Sequence, residues 1–471
     1  MPQEGCSALV DVGGNIATLV RRYDRPGPRY TSYPTALEFH PGFGDVAYRE
    51  RLDLAAIARD EPLSLYVHLP FCEERCAYCG CTVVATRRRE VASKYLEYVA
   101  REVRLLAGHL TNRRRLAQLH WGGGTPTYFS TAELQWLHDS ISRHFILQPD
   151  AECAVEIDPR VTSPEQLRAL RRMGFNRLSM GVQDFTAEVQ AAIGRRQTEN
   201  QTRGLFDYAR QVGFDSINVD LIYGLPRQAL ASFTRTIASI VQMRPDRIAV
   251  YSYAHVPWLR PSQKRIKIED LPAPAQKIEL IGAAADGFLR AGYEAIGMDH
   301  FALPSDDLAV AARAGRLHRN FMGYTTRHAA DVVAVGISAI SDVRGAFAQN
   351  VKKLPAYYAA LDQGRLPIAR GYLLNSDDLI RRQVITDLMC NFRIDGADTE
   401  RRFGVQLDTY FAAELRRLRA PGGPVADGLL DITGSGLAVT PRGRLFVRSI
   451  CMHFDKYLPA ALAQPAFSRT I

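Results

Sequence analysis

The sequence predicts an α/β protein built on a parallel sheet, and three observations carry that expectation. From Leu65 onward, short apolar strand-like runs alternate with longer helical patterns. Before Leu65 the chain is punctuated by prolines, which mark an arm rather than a core element. After about residue 365 the alternation stops and helical patterns dominate. The organisation expected is therefore an arm over 1–55, an α/β domain over 56–365 and a mainly helical, winged-helix-like domain over 366–471.

At 471 residues the chain is long enough for a large core and more than one domain. With 46% hydrophobic and 23% charged residues it has ordinary globular composition. No run approaches the roughly eighteen uninterrupted apolar residues of a membrane span. An excess of 59 basic over 50 acidic residues leaves a net charge of +9, too modest at this length to select a partner.

The elements follow in chain order. R-P-G-P-R-Y-T-S-Y-P-T, Arg25 to Thr35, cannot be helical, and Tyr30, Tyr33 and Phe39 are too aromatic for a solvated tail, so an extended arm lying on other structure is expected. Strand-like runs come next at Leu65–Leu69, Leu116–Trp121, Cys153–Ile157, Arg177–Met180, Ser216–Tyr223 and Ile248–Tyr253. The helical patterns after them are Val91–Leu106, Ala132–Phe145, Pro164–Met173, Thr202–Val212, Ser232–Val241 and Ile278–Leu289. Six strands each followed by a helix build a parallel sheet through right-handed crossovers, with ligands gathered at the carboxyl ends of the strands. Val332–Ser341 reads as one more buried strand. A helix is expected over Ser376–Phe392, capped by Asn375 or Ser376, and another over Leu407–Leu418. A hairpin over Leu429–Val439, turning at Gly434–Gly436, and a final basic helix over Pro441–Tyr457 complete the chain. Arg442, Arg444, Arg448 and Lys456 on that helix read as a solvated face rather than a nucleic-acid surface, because no aromatic residues interleave them as in a basic recognition patch.

The stretch S-L-Y-V-H-L-P-F-C-E-E-R-C-A-Y-C-G-C-T, Ser64 to Thr82, carries the strongest chemical signal. Its strand ends at Pro70 and opens into a loop with Cys72, Cys76, Cys79 and Cys81, spaced C-x3-C-x2-C and then x-C. Three thiolates from one irregular loop can hold three corners of a cubic iron–sulfur cluster and leave the fourth iron open. A structural zinc site usually draws two ligand pairs from separate knuckles, and no second pair follows here. Disulfides belong to oxidising compartments, whereas the opening M-P-Q-E-G lacks the basic and apolar regions of a signal peptide; a reduced, cytoplasmic chain is expected. The scattered Cys6, Cys153, Cys390 and Cys451 read as buried free thiols.

Further motifs stand at strand ends. H-W-G-G-G-T-P-T-Y, His120 to Tyr128, allows backbone to approach a ligand closely, though a glycine triplet alone reads equally well as a turn. Glu156 in A-V-E-I-D-P points away from Val155 and Ile157 and could hold an ammonium group or a structural arginine. Gln183 in L-S-M-G-V-Q-D-F offers donor and acceptor, and Arg195 in G-R-R-Q can pair bidentately with a carboxylate. Asp220 within an apolar strand needs a partner. Gly297–Ala302 and His318–Thr326 carry charge and aromatics without periodicity, as either binding or ordinary surface loops do.

The loop with Tyr78 before its third cysteine resembles the signature of the radical S-adenosylmethionine (SAM) enzymes. Adding Cys81, the G-G-G-T-P element and the Arg25–Thr35 arm, the chain from about Tyr23 to Ile471 is similar to the oxygen-independent coproporphyrinogen III oxidases of haem biosynthesis. The resemblance implies a partial (β/α)6 TIM-like barrel, with the arm partly covering the active site. It implies a [4Fe-4S] cluster on Cys72, Cys76 and Cys79, two SAM molecules per site, and Cys81 and Tyr66 in catalytic positions. Cofactor contacts carried over are Tyr66, Tyr78, Gly123, Gly124, Thr125, Glu156, Gln183, Arg195, Asp220 and Ala254, with Phe321 and Ile340 at the second SAM. Many relatives carry Asn in place of Gly194 and Gln in place of Met322. The implied activity is conversion of two propionates of coproporphyrinogen III to vinyls, supplied with electrons by flavodoxin or ferredoxin and carried out by a monomer. The rival within the superfamily is a haem-binding chaperone, which typically lacks both Cys81 and the arm. A DNA-binding regulator built on a redox cluster is a third, weaker reading.

Overall fold

The structure is a computed structural model and describes residues 15–327, 331–434, 436–458 and 467–470. Two compact units emerge: one of residues 39–220 and 327–373, the other of residues 15–38, 221–326 and 374–470.

In the first unit a run of parallel strands forms where the apolar periods lie. They are β1 (Leu63–Leu69), β2 (Arg115–Gly123), β3 (Ile146–Ile157), β4 (Arg177–Gln183) and β5 (Ser216–Tyr223), whose residues from Leu221 on belong to the other unit. β6 (Asp331–Val335), β7 (Ile340–Val343), β8 (Ala346–Asn350) and β9 (Ile368–Leu373) complete the order β9-β8-β7-β6-β1-β2-β3-β4-β5. β6, β1, β2, β3 and β4 pair in parallel, whereas β6 to β9 are antiparallel. The register sets Tyr66 beside His120 and Trp121 beside Val155. β1 is buried on both faces, with Leu63, Leu65, Val67 and Leu69 on one and the polar Ser64 and His68 on the other.

Helices α1 (Arg89–His109), α2 (Thr131–Ser142), α3 (Pro164–Arg172) and α4 (Glu199–Gln211) return the chain between these strands. Ser130 with Glu133, and Ser163 with Gln166, form capping boxes that fix where α2 and α3 begin. Arg113, fully buried, donates to the carbonyls of Ala55, Glu61 and Pro62 and pairs with Asp331, which ties the chain entering β1 to β6. Along the chain, the β/α succession expected of a partial (β/α)6 barrel continues with Arg247–Ser252 and Pro274–Arg290, which fall in the second unit.

Several expectations change. Val332–Ser341 is two antiparallel strands, because Gly336 turns the chain at φ +98° where a Cβ would meet the Tyr95 hydroxyl at 2.4 Å. Gly297–Ala302 and His318–Thr326 are not irregular loops: His300–Ala302 pairs with Glu294–Ile296, and His318–Asn320 forms a hairpin with Gly323–Thr325. The residues before Ser64 include two helices, Asn15–Tyr23 and Asp45–Ala56, although Arg25–Thr35 is free of helix and buries Tyr30 and Tyr33 as expected.

In the second unit Ser376–Asn391 is a helix capped by Asn375, with Asp378 returning the bond. The following helix breaks at Phe411 into Leu407–Tyr410 and Ala412–Arg419. The final basic helix is instead two 3₁₀ turns, Arg442–Phe446 and Met452–Phe454, around a single α-turn, Val447–Cys451. Its cations do not all form a solvated face: Arg448 is buried and gives its donors to the carbonyls of Gly27, Pro28 and Thr470, and Arg444 lies 4.7 Å over the Phe392 ring, whereas Lys456 is exposed and pairs with Asp377 and Asp378. Cys153, Cys390 and Cys451 are buried free thiols, while Cys6 lies outside the described residues, as does Ser435 in the expected hairpin turn.

Candidate active site

The cysteine loop begins where β1 ends and is closed by its own backbone. Val84 N–H donates to the Pro70 carbonyl at 2.8 Å and Thr86 N–H to the Cys72 carbonyl at 3.0 Å. Cys76 is buried, Cys72 and Cys79 are half-buried and Cys81 is exposed. Thr125 Oγ1 lies 3.4 Å from Cys72 Sγ, and Arg160 Nη2 lies 3.8 Å from Cys76 Sγ. Burial pushes the Cys72 thiol up to about 11; Thr125 opposes the rise and the neighbouring Cys79 and Cys76 add to it. Thiolates on one short loop repel one another, and an electropositive group among them would offset that.

Among the described residues no three His, Cys, Asp or Glu side chains converge tightly enough for a single metal ion. A cubic cluster places its thiolates on three different irons and so asks for cysteines around a volume rather than a point. A cavity of about 520 Å³ lies against Cys72, lined also by Thr125, Asp158 and Arg160. Of the three cysteines this cavity touches Cys72 alone, so it is the donor set, three thiols from one loop, that fits an iron–sulfur cluster.

The glycine triplet is demanded by packing. A Cβ on Gly122 would lie 2.5 Å from Glu156 Oε1, one on Gly123 2.4 Å from the His68 ring, and one on Gly124 2.5 Å from the Pro70 backbone. Gly124 N–H donates to the Leu69 carbonyl and Thr125 N–H to the Phe71 carbonyl, each at 2.9 Å, so this turn and the cysteine loop are stitched together. Glu156 accepts from Gly123 N–H at 3.0 Å and lies 3.2 Å from His120 Nε2. Burial works against its charge, but His120 and Gly123 hold its carboxyl below the ordinary range. Its side chain keeps 41% exposure, so an anionic oxygen remains open to a ligand cation.

His68 was not singled out by the sequence, yet it anchors this corner. Its Nε2 is 3.0 Å from the Thr82 carbonyl, an acceptor only, which places the proton on Nε2. Burial lowers its pKa and keeps the ring neutral, so Nδ1 accepts from the Tyr66 hydroxyl at 3.0 Å.

Arg195 does form a bidentate fork, with Asp158 at 3.0 and 3.1 Å, and also donates to the Gly181 carbonyl at 2.7 Å. Asp158 is shared with Arg160 at 2.7 Å. Burial opposes both charges, but the mutual attraction holds the Asp158 carboxyl below its usual value and Arg195 above its own. Tyr78 is close enough to Arg195 and Cys76 for each to shift its hydroxyl, behind the dominant effect of burial. Gln183 ends β4 at φ +69°, and a Cβ on Gly181 would meet its Nε2 at 2.9 Å. Gly194 closes the helix Ala187–Ile193 in the left-handed region, a position that Asn also tolerates. Asp220 accepts from Ser179 Oγ at 3.0 Å and Asn218 Nδ2 at 2.7 Å, the partners that its place in an apolar strand required.

Cys72, Cys76, Cys79, Cys81, Tyr66, Tyr78, Gly123, Gly124, Thr125, Glu156, Gln183, Arg195, Asp220 and Ile340 all belong to the first unit. Ala254 and Phe321 belong to the second. There Ala254 offers its carbonyl to Gln263 Nε2 at 3.1 Å, and Phe321 sits with Met322 at the tip of the His318–Thr325 hairpin. His68, His120, Asp158, Arg160, Ser179 and Asn218 complete the polar network; His68 and Asp158 stood inside quoted motifs, and their alternation with apolar neighbours was the available signal.

A thiol-rich loop sewn to a glycine turn at the ends of parallel strands defines a class of enzyme, and residues 66–240 match the radical SAM superfamily. Residues 374–446 match the HemN C-terminal domain. The chain is 46% identical to an oxygen-independent coproporphyrinogen III oxidase from Escherichia coli, over 96% of this chain and 98% of that one. It is 45% identical to the protein of that name from Pseudomonas aeruginosa, over 97% and 98%. The solved structure of the Escherichia coli coproporphyrinogen III oxidase, described as a radical SAM enzyme, superposes with a TM-score of 0.88 at 44% identity, covering 94% of this chain and 98% of that one. The chain belongs to the oxygen-independent coproporphyrinogen III oxidase family.

Proposed function

We infer that this chain carries out the anaerobic oxidative decarboxylation of two propionate side chains of coproporphyrinogen III, giving the vinyl groups of protoporphyrinogen IX. The observation that carries the reading is likeness over nearly the whole length of both chains, 46% identity over 96% and 98%. The relatives described above are oxidases, not haem chaperones.

When bound, a [4Fe-4S] cluster would supply the electron for reductive cleavage of SAM, so that a hydrogen atom could be taken from the propionate β-carbon; loss of CO2 and of one electron to an external acceptor would then leave the vinyl group. Cys72, Cys76 and Cys79 hold the cluster. The backbone of Gly123, Gly124 and Thr125, together with Glu156, receives the SAM amino group. Tyr78, Gln183 and Arg195 line the same cofactor, with Arg195 fixed by Asp158. Asp220 takes the ribose hydroxyls, and the Ala254 backbone meets the adenine. Tyr66 keeps its proton aimed at His68 Nδ1 and bounds the cofactor at β1. Exposed Cys81 serves the substrate rather than the cluster.

Phe321 and Ile340, one from each unit, are the residues that would contact a second SAM, one cofactor for each propionate. Residues 1–55 act as a covering arm, 56–365 as the catalytic domain and 366–471 as the C-terminal domain. Among the described residues no helix is long and apolar enough to cross a membrane. The enzyme works in the cytoplasm as a monomer, with flavodoxin or ferredoxin as donor.

The test is anaerobic turnover of reconstituted protein with reductant, SAM and coproporphyrinogen III. Protoporphyrin formed with about two 5′-deoxyadenosines per product supports the reading, two radical events being needed for two vinyls. Deoxyadenosine without protoporphyrin rejects the substrate, and stable haem binding with neither product favours the chaperone.

A further inference from the structure

In the second unit one arginine keeps two enclosed donors idle, and other cations lie on neighbouring segments. Arg319 lies in the strand His318–Asn320, its guanidinium carbon 4.6 Å over the Tyr324 ring. Its Nε and Nη1 are shut off from solvent and meet no hydrogen-bond acceptor, while Nη2 is not enclosed in this way. The acid within electrostatic reach is Asp299, which is engaged by His300 at 2.7 Å. Arg29 donates to the Ser252 carbonyl at 2.8 Å, and Arg448 gives its donors to backbone carbonyls, which satisfy its hydrogen bonds without neutralising its charge. Burial and then Arg29 bring Arg448 down to about 10. Burial, Arg29, Arg448 and Arg469 bring Lys277 down to about 8 against the pull of Asp24.

A guanidinium with two sealed, idle donors is costly, and a fold that keeps one is prepared for an anion that can reach it. The planar donor fork of arginine suits a carboxylate. Arg319 stands two residues before Phe321, and Ser252, which fixes Arg29, two before Ala254, so both cations share chain segments with expected cofactor contacts. We propose that Arg319, backed by Arg29 and Lys277, receives a propionate carboxylate of the tetrapyrrole substrate. The proposal rests on the function inferred above, and it adds a residue that distinguishes a carboxylated ring from its ester.

The experiment uses anaerobically reconstituted full-length protein and coproporphyrin III, the stable oxidised tetracarboxylate, with its tetramethyl ester as control. Binding is followed by porphyrin fluorescence, and labelled SAM is measured in parallel by equilibrium dialysis. Arg319→Met is expected to raise the Kd for coproporphyrin III about tenfold or more, with partial recovery in Arg319→Lys, no change for the ester and no change for SAM. If wild-type protein neither binds coproporphyrin III nor turns over coproporphyrinogen III, the functional reading fails and takes the proposal with it. If wild type binds and Arg319→Met binds equally well, the proposal alone falls. Loss of SAM affinity without loss of porphyrin affinity assigns Arg319 to the methionyl carboxylate and overturns the proposal. Should Arg319→Met lack the iron content or circular dichroism of wild type, Lys277→Met decides: a severalfold weaker coproporphyrin III complex supports the site, and an unchanged one overturns it.

Discussion

Glu156 accepts a hydrogen bond from the backbone N–H of Gly123 at 3.0 Å, so the carboxylate expected to meet the SAM amino group is aimed by the same glycine turn that is sewn to the cysteine loop. Gly122 leaves the space in which that carboxylate lies, since a Cβ there would approach Oε1 to 2.5 Å. Gly122→Ala is therefore expected to push Glu156 off its position while leaving the thiols untouched. Iron content should stay at the wild-type level and the Kd for SAM should rise about tenfold or more, the worth of one charge-assisted hydrogen bond. Equilibrium dialysis checks this, and unchanged SAM affinity would remove Glu156 from the cofactor site.

Asp158 compensates two arginines at once, the buried Arg195 through a fork and the half-buried Arg160 at 2.7 Å. Asp158→Asn keeps the shape and removes the charge. Leaving Arg195 buried and unpaired should cost on the order of 3 kcal/mol or more. The measurement is chemical unfolding of matched preparations. A loss well below 1 kcal/mol would mean that Arg195 finds another anion and that Asp158 is not its counter-charge.

The four cysteines of the loop differ in burial, and their replacements should differ in kind. Cys72→Ser, Cys76→Ser and Cys79→Ser are each expected to lose most of the reconstituted iron, because a cubic cluster has no fourth protein ligand in reserve. Exposed Cys81→Ser should retain iron and SAM cleavage while protoporphyrin formation falls. Iron assay, visible absorbance and product analysis on the same samples separate the two outcomes. Iron loss from Cys81→Ser equal to that of the other three would make it a ligand.

The strands and the cysteine loop were legible in the sequence because both are written in local spacing: alternating apolar runs for β1 to β5, and C-x3-C-x2-C for the loop. What escaped depends on partners far apart in the chain. Asp158 meets Arg195 across 37 positions, and Arg448 reaches the Pro28 carbonyl across 420, which is why an expected terminal helix is broken into short turns around a buried cation. Arg195 was recognised as a carboxylate partner, but the carboxylate is Asp158 of the protein itself. The Val332–Ser341 run failed for a different reason: its β-branched residues report burial, and only the folded position of Tyr95 shows why Gly336 must turn.

Glu102 makes the stability of the first unit depend on pH in a direction opposite to most carboxylates. It is 1% exposed and accepts from Tyr357 Oη at 2.5 Å, Asn350 Nδ2 at 2.6 Å and Gly336 N–H at 2.8 Å, three donors gathered from more than 230 positions away. Burial nevertheless pushes its carboxyl up to about 7, outweighing those donors. An acid with a folded pKa above its unfolded one binds more protons when folded, so stability falls as pH rises from about 4.5 through about 7 and levels above that. Across that window Glu102 should account for a loss on the order of 3 kcal/mol. Glu102→Gln cannot titrate, so the wild-type advantage over it should be largest near pH 5 and shrink by about that amount near pH 8. Urea unfolding of both proteins across this range is the check. A wild-type advantage that stays constant or grows with pH would mean that the three donors win over burial and that Glu102 is ionised throughout.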